Sequence, residues 1–148
     1  MKKIKALMFA FVLAGMTVVS CSSDDSGPAP TIEGQWNQTK TIVKINNSSV
    51  KENYEDNVDG CDKNYIEFAT GGVYNDVVYF KQGGVCQANT ATPGTWTKSD
   101  DILTIADGAS LSGTYEIVKL SSGALQIATS DVTAGITSTT TIYFTKAN

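Results

Sequence analysis

Between Gly34 and Lys146 several stretches alternate apolar and polar positions with a period of two. Ile66 and Phe68 stand against Tyr65 and Glu67, and Ile142 and Phe144 stand against Thr141, Tyr143 and Thr145. That period places alternate side chains on opposite faces of a strand. Candidate strands are Gly34 to Asn46, Lys63 to Thr70, Val73 to Phe80, Gly94 to Lys98, Ile102 to Ala106, Leu111 to Leu120, Ala124 to Thr129 and Ser138 to Lys146. All are rich in Val, Ile, Thr, Tyr and Phe. No amphipathic stretch of helical length lies between them. Eight short strands with regular turn signals predict an all-β barrel or sandwich.

The connections separate these two architectures. Gly71-Gly72, Ser99-Asp100-Asp101 and Ser121-Ser122-Gly123 have tight-turn chemistry, whereas Asn47 to Asp62 and Lys81 to Pro93 are long. In an up-and-down meander alternate connections lie at opposite ends, so every tight turn falls at one end and both long connections at the other. A Greek-key sandwich needs long crossovers elsewhere. The chain therefore predicts a small eight-stranded antiparallel up-and-down barrel with a closed end and a loop-rimmed open end. The strand from Val73 to Phe80 alternates both ways, turning inward either Val73, Val77 and Tyr79 or Tyr74, Val78 and Phe80.

The first residues follow a different pattern. Lys2, Lys3 and Lys5 precede an apolar run from Ala6 to Val19. The run is shorter than the roughly 20 residues needed to span a bilayer and matches the apolar region of a secretion signal. Val18-Val19-Ser20-Cys21 resembles the lipobox of bacterial lipoproteins, which implies that Cys21 is lipidated and begins the mature chain. Asp24 and Asp25 resemble the acidic export signal of surface-exposed Bacteroidetes lipoproteins. That resemblance implies a lipid-anchored protein of the outer membrane facing the cell exterior. Ser22 to Thr31 contains only Ser, Asp, Gly, Pro, Ala and Thr, which cannot bury a core and predicts a disordered tether. The expected organisation is a signal peptide over 1–20, a lipidated acidic tether over 21–31 and one barrel domain over 32–148.

The stretch "IEGQWNQTK", Ile32 to Lys40, resembles the Gly-x-Trp signature on the first strand of lipocalins. "GTWTKSDDILTI", Gly94 to Ile105, resembles the mid-barrel strand pair of the lipocalin-like domains of Bacteroidetes lipoproteins. The resemblance implies a barrel that binds one small apolar or amphipathic molecule, with a cation, normally Arg, over the Trp. This chain has no Arg, and no C-terminal helix follows its last strand. Barrel closure sets the last strand antiparallel to the first, so Lys146 lies beside Trp36 as the expected closed-end plug. Tyr54, Tyr74, Tyr79, Phe80 and Tyr115 are candidate ligand-lining side chains. The same aromatics can instead fill the core, because an eight-stranded interior is wide enough for either arrangement. A filled barrel would make the protein an interaction module that meets an envelope protein or glycan through its open-end loops.

Composition narrows the chemistry. The net charge is −4, and removing the three leader lysines makes the chain more acidic. With no Arg and no basic cluster, nucleic acid is excluded as a partner, and membrane attachment rests on the lipid alone. A monomer is expected. With Cys21 committed to lipid, Cys61 and Cys86 remain as an even pair in an exported chain and predict a disulfide at the open end. Such a bridge is worth about 3.5 kcal/mol in the chain-entropy model. The chain has no His and no close cysteine pair, so no metal site, nucleophile-and-base group or cofactor is expected. A carboxylate pair drawn from Glu52, Glu55, Asp56, Asp59, Asp62 or Asp76 is the remaining catalytic arrangement. All but Asp76 cluster in one polar stretch where acids are usually solvated, so a non-enzymatic role is expected.

Overall fold

The structure, a computed structural model, describes residues 29–56, 58–106 and 109–147. The expected signal peptide, Cys21, Asp24 and Asp25 lie outside them. Among the described residues ten strands form one antiparallel sheet. In chain order they are β1 (Gly34–Ile45), β2 (Ser48–Asn53), β3 (Tyr65–Ala69), β4 (Val73–Gln82) and β5 (Val85–Thr90). They continue with β6 (Gly94–Ser99), β7 (Ile102–Ile105), β8 (Gly113–Leu120), β9 (Ala124–Thr133) and β10 (Ile136–Lys146). No helix occurs among the described residues.

Eight of the strands run up and down in sequence order and close into a barrel where β10 pairs with β1. The remaining two, β2 and β5, are hairpin returns on β1 and β4. This corrects the expectation of two long loops, because each long connection begins with a hairpin. The β4–β5 turn is Gly83-Gly84, with φ of 61° and 83°, and the lengthened β9–β10 hairpin turns at Ala134-Gly135, with φ of 52° and 79°. Paired positive φ values are the geometry that matches the twist of a two-residue hairpin.

The barrel is closed over only part of its height. β1 pairs with β3 only from Gly34 to Trp36, and β4 pairs with β6 only at Val73 and Tyr74. Above those points β1 takes β2 as its neighbour and β4 takes β5. A register shift between Gln38 and Lys40 marks the exchange, since a bulge bends a strand locally. The open end therefore flares into a four-stranded arm, β2-β1-β10-β9, and a two-stranded arm, β4-β5.

The lower barrel is filled. Trp36, Phe68, Leu103, Leu125 and Ile127 are fully buried, and the Phe68 ring meets Tyr74 and Trp96 edge-on at 5.6 and 5.5 Å. The pairing of Phe68 with Tyr74 resolves strand β4, whose Tyr74, Val78 and Phe80 set faces inward. Val77 is also buried, on the other face.

Candidate functional site

At the closed end the chain enters through Ile32 and leaves through Lys146. The Trp36 indole N–H donates to the Ile32 carbonyl at 2.7 Å, anchoring the incoming segment to the core. Across the β1–β10 pair Trp36 sits opposite Lys146, whose Nζ stands 4.3 Å from the indole centroid and donates to the Glu33 carbonyl. Burial holds the Lys146 ammonium below the ordinary lysine range. Gly34 has a φ of 114°, and a Cβ there would run into Lys146 Nζ. The Gly-x-Trp spacing thus serves a local need, since Gly34 leaves room for the cation that lies over Trp36.

The five candidate aromatics do not converge on one site. Tyr74 and Tyr115 are buried in the packed core, where burial raises both phenol pKa values. Tyr79 lies on the outer face, its ring 6.5 Å from that of Tyr65. Phe80 is 37 % exposed on the two-stranded arm. Tyr54 alone reaches the barrel mouth, where it borders two adjoining concavities.

The mouth is organised by Asn64, the one buried polar residue among those described. Its backbone N–H donates to Asp56 Oδ1 at 2.9 Å, and its carbonyl accepts from Asn37 Nδ2 at 2.9 Å. The side chain donates to the Tyr54 hydroxyl at 3.1 Å and accepts the Tyr79 backbone N–H at 2.7 Å. These bonds hold the connection from β2 to β3 across the gap that β1 and β3 leave as they diverge. Cys61 in that connection is bridged to Cys86 on β5, with Cα atoms 5.6 Å apart. The Lys81 ammonium adds a bond to the Asp59 carbonyl. On the opposite side Ala109 and Leu111 pack against the core, and the Ser110 and Tyr74 hydroxyls are 3.4 Å apart.

Between these walls lies a cleft of about 190 Å³. Ile66, Val78 and Leu111 are its apolar surfaces, and Gln38, Asn64 and Asp76 its polar ones. The pairing of Asp76 with the buried Ile66 turns the carboxylate inward. A wider concavity of about 680 Å³ adjoins the cleft at Gln38 and Tyr54, with Thr41, Glu52 and Glu55 on its wall. Among the described residues no lysine lines either space. Of the six candidate carboxylates, Asp76 is in the cleft, Glu52 and Glu55 are in the outer concavity, and Asp56 is engaged with Asn64. Among the described residues no group of His, Cys, Asp and Glu is arranged to hold a metal ion.

Asn64 and Gln38 were not anticipated as site residues. A signal for Asn64 existed, because it continues the inward series of Ile66 and Phe68 by one step.

The family model described as a lipocalin-like domain matches residues 32–127, from the closed-end segment into the first part of β9. Among solved structures, a deswapped triple mutant of bovine odorant binding protein aligns with 77 % of this chain and 72 % of its own, at 18 % identity and a TM-score of 0.39. No curated protein matches the chain.

Proposed function

We propose that this chain, which belongs to the lipocalin-like domain family, is a lipid-anchored envelope protein that binds a small amphipathic molecule at the mouth of its barrel. The observation that carries the binding role is the cleft, where Ile66, Val78 and Leu111 face Gln38, Asn64 and Asp76. A concave apolar space with a few convergent polar groups is the usual composition of a small-molecule site. Its 190 Å³ lies below the roughly 300–1,000 Å³ of sites for drug-sized ligands. The cleft therefore takes a small molecule, or one end of a longer one whose remainder lies over Glu52 and Glu55. The core packed around Trp36 and Phe68 keeps the ligand at the mouth.

Mass spectrometry of solvent extracts from the purified protein tests this role. A small molecule should recur in wild-type extracts and be missing from Val78→Trp, whose indole fills the cleft. Identical extracts from the two proteins would refute it. They would favour a second reading, supported by the filled core, in which the barrel is an interaction module. Val50 and Val132, each 70 % exposed, and Val85, 63 % exposed, would then meet an envelope protein or glycan through the arms.

The envelope placement rests on the first residues of the sequence. A basic start, a short apolar run and Val18-Val19-Ser20-Cys21 support a signal peptide over 1–20 and a lipid on Cys21. Asp24 and Asp25 in the tether over 21–31 support display on the outer face of a Bacteroidetes-type outer membrane, ahead of a monomeric barrel domain over 32–148. Cys21→Ser should abolish lipid labelling and membrane partition. Asp24→Ala with Asp25→Ala should leave the lipid in place and hide the chain from external protease. Normal partition of the first variant, or unchanged surface digestion of the second, would remove the corresponding claim.

A further inference from the structure

We infer that the mouth cleft selects a small organic cation, an ammonium on a short apolar body, with Asp76 as its counter-charge. This rests on the cleft being a small-ligand site and adds the charge class of the ligand. Asp76 faces inward beside Ile66, Val78 and Leu111. Among the described residues its carboxylate has no ion-pair or hydrogen-bond partner on a side chain, and no lysine lines the cleft or the concavity outside it. The half-buried carboxylate thus offers a charged donor entering the cleft a direct partner.

The other polar groups on the cleft lining are neutral. The Gln38 amide N–H donates to Thr41 Oγ1 at 3.2 Å, which leaves its carbonyl oxygen as an acceptor. The Asn64 amide donates to Tyr54 and accepts from the Tyr79 backbone, so its donor and acceptor groups are both engaged. The Tyr54, Tyr65 and Ser110 hydroxyls on the lining can each donate or accept, so the one charged group of the cleft, the Asp76 carboxylate, sets its preference. An ammonium brings three donors and a positive charge to that carboxylate. An anion would instead meet Asp76 in the cleft, after passing Glu52 and Glu55 in the outer concavity. Acids along an approach of one sign raise the local concentration of cations and repel anions.

Calorimetric titration of the purified protein with three probes of one shape tests the inference: phenethylamine, 2-phenylethanol and 3-phenylpropanoate. The amine should bind about tenfold or more tighter than the alcohol, as for a charge-assisted contact over a neutral one, and the carboxylate weakest. Asp76→Asn should erase the amine's advantage over the alcohol. Glu52→Gln with Glu55→Gln, which leaves the cleft intact, should reduce amine binding by a smaller factor and flatten its salt dependence. Equal binding of amine and alcohol to the wild type, or an amine advantage that survives Asp76→Asn, would overturn the charge class while the small-ligand role stands. Failure of all three probes to bind at millimolar concentration would remove the small-ligand role and the charge class together.

Discussion

The two ends of this barrel are made from the same strands and held by different forces. At the closed end β1 lies between β3 and β10, and its Trp36 is buried among aromatic and aliphatic side chains. A few residues further along, β1 lies between β2 and β10, and its side chains are half-buried or exposed. Apolar burial fixes the first region. In the second, the hydrogen bonds of Asn64 and the Cys61–Cys86 bridge replace it. The difference follows from what a binding surface requires. A cleft cannot be stabilised by filling it, so its walls must be held from behind by directional and covalent links.

Four perturbations sharpen this contrast. The largest effect belongs to Trp36→Ala, which should cost about 3–5 kcal/mol, the range for emptying a buried aromatic site. Urea denaturation measures it, and a cost below about 1 kcal/mol would deny the closed end its anchoring role. Replacing Cys61 and Cys86 together with Ser should cost about 2–4 kcal/mol. It should also loosen amides of β5 and the β2–β3 connection while those around Trp36 stay protected. Asn64→Ala follows at about 1–3 kcal/mol, because it leaves the part-buried Tyr79 backbone N–H without its acceptor. Its thermal melt should shift down, and ligand binding should weaken with it.

The smallest effect concerns the plug. Lys146→Met keeps an apolar stem over Trp36 and removes the cation, at a cost of about 0.5–1 kcal/mol. Its pH dependence has a defined sign. Burial lowers the folded pKa of Lys146 from the ordinary value of 10.5, so across that window the unfolded chain holds more protons than the folded one. Stability contributed through Lys146 therefore rises with pH as its folded-state pKa is passed and levels off above the unfolded value. The wild type should gain on Lys146→Met as pH rises toward the ordinary lysine value of 10.5 in paired denaturation curves. A constant difference would show that the ammonium carries no desolvation cost.

Much of the closed end could be read from residue order. Period-two alternation located all eight barrel strands, and Gly71-Gly72, Ser121-Ser122-Gly123 and the Asp100-Asp101 pair placed the tight turns together. The open end was less legible for a physical reason. β2 and β5 are almost wholly exposed, so no buried face imprints alternation on SSVKEN or VCQANT. Their pairing comes instead from turn conformation and from the adjoining strand. The inward face of β4 was undecided because both of its faces carry apolar residues, and Val77 is buried on the outer one. The aromatic candidates dispersed because residue type alone does not separate a core tyrosine such as Tyr74 from a rim tyrosine such as Tyr54. Asp76 was visible as an isolated acid, but its place in the cleft depends on its register opposite Ile66.

Native-state hydrogen exchange tests the division between the two ends most directly, because it reads the opening free energy of each amide separately. Amides of Trp36, Phe68, Leu103, Leu125 and Phe144 should exchange only through global unfolding. Those of Val50, Val85 and Val132 on the arms should open locally, at a free energy lower by about 2 kcal/mol or more. One common opening free energy across both groups would contradict the account, because the mouth would then be as tightly held as the core.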